Sequence, residues 1–327
     1  MNDSAIELSI VVPAFNEEQH ITPFLETTVP IVESLVKNYE IVFVNDGSRD
    51  RSLDVMLSAR EAYPRVRVVN LARNFGKDVA LSAGLSYASG AAVIPIDCDL
   101  QHPPSLIPDM YQKWREGSDM VVAIRASRSE ESFIRRSVSQ LFYRILLSMT
   151  SVDIPINAGD YRLLDRKIVD VINRMEERSR FLKGIYAWPG FKKSEVYFKA
   201  EPRKGGSSTW TVWKLWNYAL DGIFSFSSSP LRIWTYIGFL AAATSLFYFL
   251  WTVIKTLIFG IKLPGYASLL SLLLLFNSLI LISNGIQGEY LARMFDEVKR
   301  RPLFVVNGTW GFSPEEPVVS AEDKHRS

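Results

Sequence analysis

The chain has 327 residues, a net charge of +2 and 48% hydrophobic residues, enough for a sizeable α/β domain and a smaller unit. The near-neutral balance carries no global signature of nucleic-acid binding. A single cysteine, Cys98, excludes an intrachain disulfide and fits a reducing compartment. Residues 1–7 show no basic segment followed by an apolar core, so no secretory signal is expected and the large domain is expected on the cytoplasmic side.

Residues 8–13 form a continuous apolar run and predict a first, central strand. Asn16, in Ala14-Phe15-Asn16-Glu17-Glu18, is the predicted cap of a helix over about 17–36. A second strand is predicted over 40–45, ending in Asp46-Gly47-Ser48, then a helix over 50–62 and a third strand over 66–71. The glycine-containing loop Arg73-Asn74-Phe75-Gly76-Lys77 leads into a helix through Ser89. The β-branched run from Ala91 to Ile96 closes on Asp97-Cys98-Asp99-Leu100-Gln101-His102-Pro103-Pro104, followed by a helix over about 105–116 and a strand over 119–124. Strands and helices alternating through short loops predict an open, largely parallel sheet.

Asp97 and Asp99 are one residue apart at a strand end, where a turn lets both reach one point beyond the carboxyl edge of the sheet. Two carboxylates with the Gln101 amide nearby suit a hard cation such as Mg²⁺ or Mn²⁺. The alternative is that the pair caps the helix near Pro104. Cys98, between the two acids, reads as filler rather than nucleophile. Glu17, Asp46, Arg73 to Lys77 and Asp97 to Gln101 all follow predicted strand ends, the pattern of one active site. Neither a Gly-x-Gly-x-x-Gly nor a Walker-type loop is present, which argues against dinucleotide and NTPase chemistry.

Residues 127–149 mix Arg128, Arg135, Arg136 and Arg144 with an apolar helical stripe, facing a membrane surface, an anionic ligand or plain solvent. In Asn157-Ala158-Gly159-Asp160-Tyr161-Arg162, a polar stretch before a helix from about Arg166, Asp160 is either a catalytic carboxylate or the partner of Arg162. One more strand is predicted over 194–199. Residues 203–209, Arg-Lys-Gly-Gly-Ser-Ser-Thr, form a loop suited to closing over phosphates, or a linker. Residues 211–226, with Trp213 and Trp216, predict a helix in the membrane interface. Residues 233–254 carry no charge over about 22 residues, long enough to span a bilayer. A second uncharged stretch covers 263–288. The connector holds two lysines, whereas Arg293, Lys299, Arg300 and Arg301 follow the pair, so both termini are placed in the cytoplasm. The tail beyond Pro302 is expected to be loosely ordered.

The 11–18, 45–48, 73–77 and 97–104 motifs resemble family 2 glycosyltransferases with the GT-A fold. Residues 157–163, Trp213-Lys-Leu-Trp216, 230–238 and Gly288-Glu289-Tyr290 narrow the resemblance to the polyprenyl-phosphate glycosyltransferases, especially the bactoprenol glucosyltransferases of the GtrB type. The likeness runs along nearly the whole chain. It implies a Rossmann-like GT-A domain over 1–210, an interfacial amphipathic region over 211–230, a two-helix hairpin over 231–290 (spans about 233–254 and 264–288) and a cytoplasmic tail over 291–327. It implies a multi-pass protein of the cell membrane, a homo-oligomer (a tetramer by resemblance), with its catalytic domain in the cytoplasm.

The implied reaction moves a hexose, with glucose the expected sugar, from a UDP-sugar to polyprenyl phosphate with inversion at the anomeric carbon. By the same resemblance Pro13, Phe15, Glu17 and Asp46 contact the uridine, Arg73 and Lys77 the donor, and Asp97, Asp99 and Gln101 hold Mg²⁺ or Mn²⁺. Asp160 stands at the position of the presumed base, or orients an arginine or the sugar. Arg125, Arg128, Arg135 and Arg203 are candidates for the acceptor phosphate, which planar guanidinium suits. One departure is Thr209, where relatives often carry lysine, with Lys204 a substitute. Rival readings are a dolichol-phosphate mannosyltransferase using GDP-mannose and an inactive membrane scaffold; a processive synthase is disfavoured because no Gln-x-x-Arg-Trp occurs.

Overall fold

The computed structural model describes residues 5–125, 158–178, 180–198, 229–260 and 265–312. Among these, eight strands make one sheet: β1 (Leu8–Ala14), β2 (Tyr39–Asn45), β3 (Val66–Leu71), β4 (Ala92–Pro95), β5 (Met120–Arg125), β6 (Ala158–Asp165), β7 (Lys193–Phe198) and β8 (Val306–Trp310). Their spatial order is β7-β5-β6-β4-β1-β2-β3-β8. β1 pairs in parallel with both β2 and β4, and β2 with β3, so the chain reverses its direction of travel across the sheet at β1 and β4. That reversal leaves a crevice at the carboxyl ends of these two strands, where an open α/β sheet takes its ligand.

Helices cover both faces. On one, Leu8, Ile10, Val12, Ile41 and Phe43 pack against α1 (Ile21–Leu35), α2 (Ser52–Ala62) and α4 (Ile107–Arg115). On the other, Val11, Val42 and Val44 meet α3 (Lys77–Tyr87), α5 (Arg166–Arg174) and α6 (Leu182–Ala187). A strand buried on both faces cannot alternate with polar residues, which is why β1 to β4 read as apolar runs. Where α3 crosses β1, a Cβ on Gly84 would stand 2.2 Å from Val11 Cγ1, so only glycine permits the close approach.

Three expectations need correction. Asn16 does not cap a helix: α1 begins at Ile21, and Asn16 sits in the left-handed region at φ 58°. Its backbone N–H donates to Ser48 Oγ (3.0 Å) while its Oδ1 accepts from Arg49 N–H (2.8 Å), lacing the loops after β1 and β2 together. Residues 158–165, read as a polar stretch with no strand, form antiparallel strand β6, seated inside the sheet between β4 and β5. Part of the tail beyond Pro302 is an ordered strand, because β8 pairs antiparallel with β3, Val68 facing Trp310.

Two long helices, α7 (Ser229–Phe259) and α8 (Tyr266–Val298), contain windows at Ile233–Thr252 and Leu272–Val298 long and apolar enough to cross a membrane, neither buried within the chain. α8 runs ten residues beyond the uncharged stretch and meets the chain just after α5. Glu297 Oε1 accepts the Arg178 backbone N–H at 2.7 Å, and the Arg178 guanidinium donates to the Arg301 carbonyl. The helix predicted over 211–226 and the loop over 203–209 lie outside the described residues.

Candidate active site

The first ring of the site is made of loops that hold one another. After β2, buried Asp46 accepts the backbone N–H of Phe75 on Oδ1 (2.7 Å) and of Gly76 on Oδ2 (3.0 Å). Burial raises its pKa, against the pull of those two N–H groups and of Arg73. Gly47 follows at φ 65°, and a Cβ there would fall 2.4 Å from the Arg73 carbonyl carbon, so the two loops touch backbone to backbone. Asp46 therefore fixes the 73–77 loop and with it the start of α3. Arg73 lies over the Phe75 ring at 4.1 Å and is exposed. Pro13 is buried in β1 opposite Val44, Phe15 projects at 41% exposure, and Glu17 Oε2 is 2.6 Å from His20 Nδ1.

Lys77, first residue of α3, crosses to the next strand. Its Nζ stands 2.8 Å from both carboxylate oxygens of Asp97 and 3.0 Å from Asp160 Oδ2. Burial works against its charge, but the two carboxylates outweigh it and hold its pKa above the usual range. Asp160 is contributed by β6, the strand absent from the sequence reading, and Lys77 is its neighbour as well as Arg162. Burial opposes its ionisation, yet Lys77, Lys183 and Arg162 together hold its pKa below the carboxylate norm. The Arg162 guanidinium donates to the Gly159 carbonyl (2.5 Å) and lies 4.1 Å over the Tyr186 ring.

Asp99 Oδ1 accepts the Gln101 backbone N–H at 3.0 Å, a tight turn helped by Leu100 at φ 58°. The Pro104–Leu106 turn that opens the next helix has no side-chain cap, so the alternative capping role for the acidic pair fails. Cys98 is buried and its thiol pKa is pushed up, by burial first and then by Glu17, Asp97 and Asp99, which fits filler rather than a nucleophile. His102 packs against Tyr161 and Phe198, with Nδ1 3.7 Å from Asp97 and no hydrogen-bond partner. Burial lowers its pKa despite that carboxylate, and the Lys77 charge adds to the lowering. Among the described residues no three His, Cys, Asp or Glu side chains gather into a metal cluster of their own.

Two contributors escaped the sequence. Lys183, on short helix α6, acts on Asp160, and Asp160 in turn acts on Asp78, beside Lys77; Asp78 is pushed up to about 7, by burial and then by Asp160. No motif marked either residue. Arg125 is exposed at the carboxyl end of β5, on the rim with the rest. Arg128, Arg135 and Arg203 lie outside the described residues.

Comparison with known proteins bears on the whole chain. Residues 9–172 match the glycosyl transferase family 2 model, and residues 229–294 match the GtrB C-terminal hairpin. A glycosyltransferase of Synechocystis, sll0501, described as uncharacterized, is 47% identical over 306 residues, 94% of this chain and 96% of that protein. The SfII prophage-derived bactoprenol glucosyl transferase of Shigella flexneri is 43% identical over 301 residues, 92% of this chain and 97% of its own. A glucosyl-3-phosphoglycerate synthase crystal structure from Mycobacterium tuberculosis overlays at TM-score 0.45 and 20% identity, covering 67% of this chain and 79% of that one. Alike to these sequences from the first strand to the far end of its second apolar helix, the chain belongs to glycosyl transferase family 2, in the branch that carries the GtrB hairpin.

Proposed function

We propose that this glycosyltransferase moves glucose from UDP-glucose to a polyprenyl phosphate at the cytoplasmic membrane face, releasing UDP. The observation that carries this reading is the Asp97–Lys77–Asp160 cluster beside the switch point of the sheet, with Asp46 holding the loop that leads into Lys77, in a chain with two bilayer-length helices. Relatives at 42–43% identity named bactoprenol glucosyl transferases support the donor and acceptor. The loop from Pro13 to Glu17 with Asp46 frames the uridine, exposed Phe15 offering a flat apolar face, and Arg73 meets the donor phosphates.

The residues fit a divalent ion: Asp97 and Asp99 are hard oxygen donors, and a cation, the Lys77 ammonium, already sits against Asp97. Asp97, Asp99 and Gln101 would hold Mg²⁺ or Mn²⁺, which supplies Lewis-acid stabilisation of the charge gathering on the leaving UDP. The remaining chemistry is a displacement. A phosphate oxygen of the acceptor forms its bond to the anomeric carbon as the bond to UDP breaks on the opposite side. The acceptor has its second pKa near about 6 and is largely dianionic at neutral pH, so it has no proton to lose. Asp160, with its pKa below the norm, is a weaker base than that phosphate and acts instead by positioning cations. Arg125, with Arg128, Arg135 and Arg203, is assigned to the acceptor phosphate.

The domain division expected from sequence stands as part of this proposal, with β8 added to the catalytic unit. Since β8 follows the second apolar helix and joins the sheet that precedes the first, both flanks of the hairpin lie on one side. The basic residues after the hairpin favour the cytoplasm. Neither apolar window is buried in the chain, so lipid and further copies, in a tetramer by resemblance, cover them. The test is a transfer assay with purified protein, Mn²⁺, undecaprenyl phosphate and a panel of labelled UDP- and GDP-sugars. Organic-phase label from UDP-glucose is expected; label from GDP-mannose alone would replace the donor, and none from any donor would leave a scaffold.

A further inference from the structure

We propose that Lys77 is a stand-in cation: it holds Asp97 and Asp160 together in the metal-free enzyme and gives up Asp97 when a divalent ion enters. The inference rests on the reading of Asp97 as a metal ligand and concerns how that ligand is kept and released. The Lys77 ammonium covers both Asp97 oxygens at 2.8 Å, so an ion taking either oxygen meets a positive charge already in contact with it. Two cations cannot share that carboxylate at contact distance without strong repulsion. The backbone of Lys77 cannot give way, because Asp46 holds the N–H groups of Phe75 and Gly76 directly before it. The side chain can. It is 45% exposed, and a four-carbon stem swings at little cost.

Asp160 gives the released ammonium a place to stay. At 3.0 Å from Nζ it retains Lys77 after Asp97 lets go, and it is held ionised by its other cations. The ammonium then remains at the rim of the site, where an anionic diphosphate can take the contact Asp97 had supplied. The divalent ion consequently binds weakly to the free enzyme and tightly beside a nucleoside diphosphate, since only the second supplies Lys77 with a new partner.

The test is Mn²⁺ binding to the full-length protein in detergent without donor, read from the free-ion EPR signal, with thermal melting to confirm folding. Lys77→Met is expected to bind Mn²⁺ about tenfold tighter than wild type, because the competing charge is gone. Lys77→Arg keeps the charge and should stay near wild type. Lys77→Gln is the second neutral variant should Met not fold. Asp97→Asn should abolish binding in every background. Equal or weaker binding by the neutral variants, with Asp97→Asn still abolishing it, overturns the stand-in role and leaves the metal ligand in place. Mn²⁺ binding that ignores Asp97→Asn overturns the metal reading of Asp97 and the stand-in role with it.

Discussion

A carboxylate surrounded by cations is a poor proton acceptor, and Asp160 is such a group. The acid limb of the rate should therefore follow the acceptor phosphate, falling as pH drops through about 6. Asp160→Asn should lower kcat without moving that limb; a pH profile whose midpoint shifts with the substitution would make Asp160 the base after all. Asp99→Ala should reduce turnover by about a thousandfold or more while the melting temperature holds, and EDTA should do the same to wild type. Asp78 has the opposite character to Asp160. Its folded pKa, about 7, lies above the unfolded value of 3.8, so its ionisation costs stability progressively as pH rises from about 4 to 7. Asp78→Asn should stabilise the protein above pH 7, by about 1–2 kcal/mol after allowance for partial exposure, and make no difference below pH 4. Parallel urea titrations at pH 4 and pH 8 would show it. At this scale the sequence announced the acids and glycines but not their partners: nothing in Arg-Asn-Phe-Gly-Lys says that the lysine reaches 20 residues on to Asp97 and further to Asp160.

Elements were legible in proportion to how fully both faces are buried. β1, β2 and β3 read as apolar runs and lie within a residue of where the pattern puts them. β6 escaped because its Ala-Gly-Asp-Tyr-Arg segment trades apolar side chains for site residues while still occupying the middle of the sheet. β8 escaped because Asn-Gly inside Val-Asn-Gly-Thr-Trp imitates a turn, and an edge strand needs only one partner. The far edge of the sheet carries a polar cluster with no catalytic task. Buried Glu40 accepts from Ser9 Oγ (2.5 Å) and Ser89 N–H (2.6 Å) and pairs with Arg67 at 2.9 Å, tying β1, β2 and β3 to the start of β4. Glu40→Ala should cost about 3 kcal/mol by stranding those partners. Chemical denaturation would report the loss, with kcat per folded molecule unchanged.

At the scale of the molecule, the sequence shows one contrast, a mixed charged chain giving way to two uncharged stretches, which the structure forms as two long helices. It did not convey the seam. Arg178 against Glu297 and Arg301, and β8 against β3, fasten the end of the hairpin to the domain that precedes it. Arg178→Ala should loosen that seam, raising amide exchange in β8 and the end of α8 before any change appears in β1 or β2.

The strand at the β3 edge of the sheet is also the last element to be made among the described residues. A ribosome delivers β1 to β7, then both apolar helices, and only afterwards residues 306–310. The edge of β3 therefore stays open until the hairpin has been synthesised. The enzyme acquires this eighth strand only after its two apolar helices have emerged, so the order of manufacture delays a fully assembled sheet until the hairpin exists.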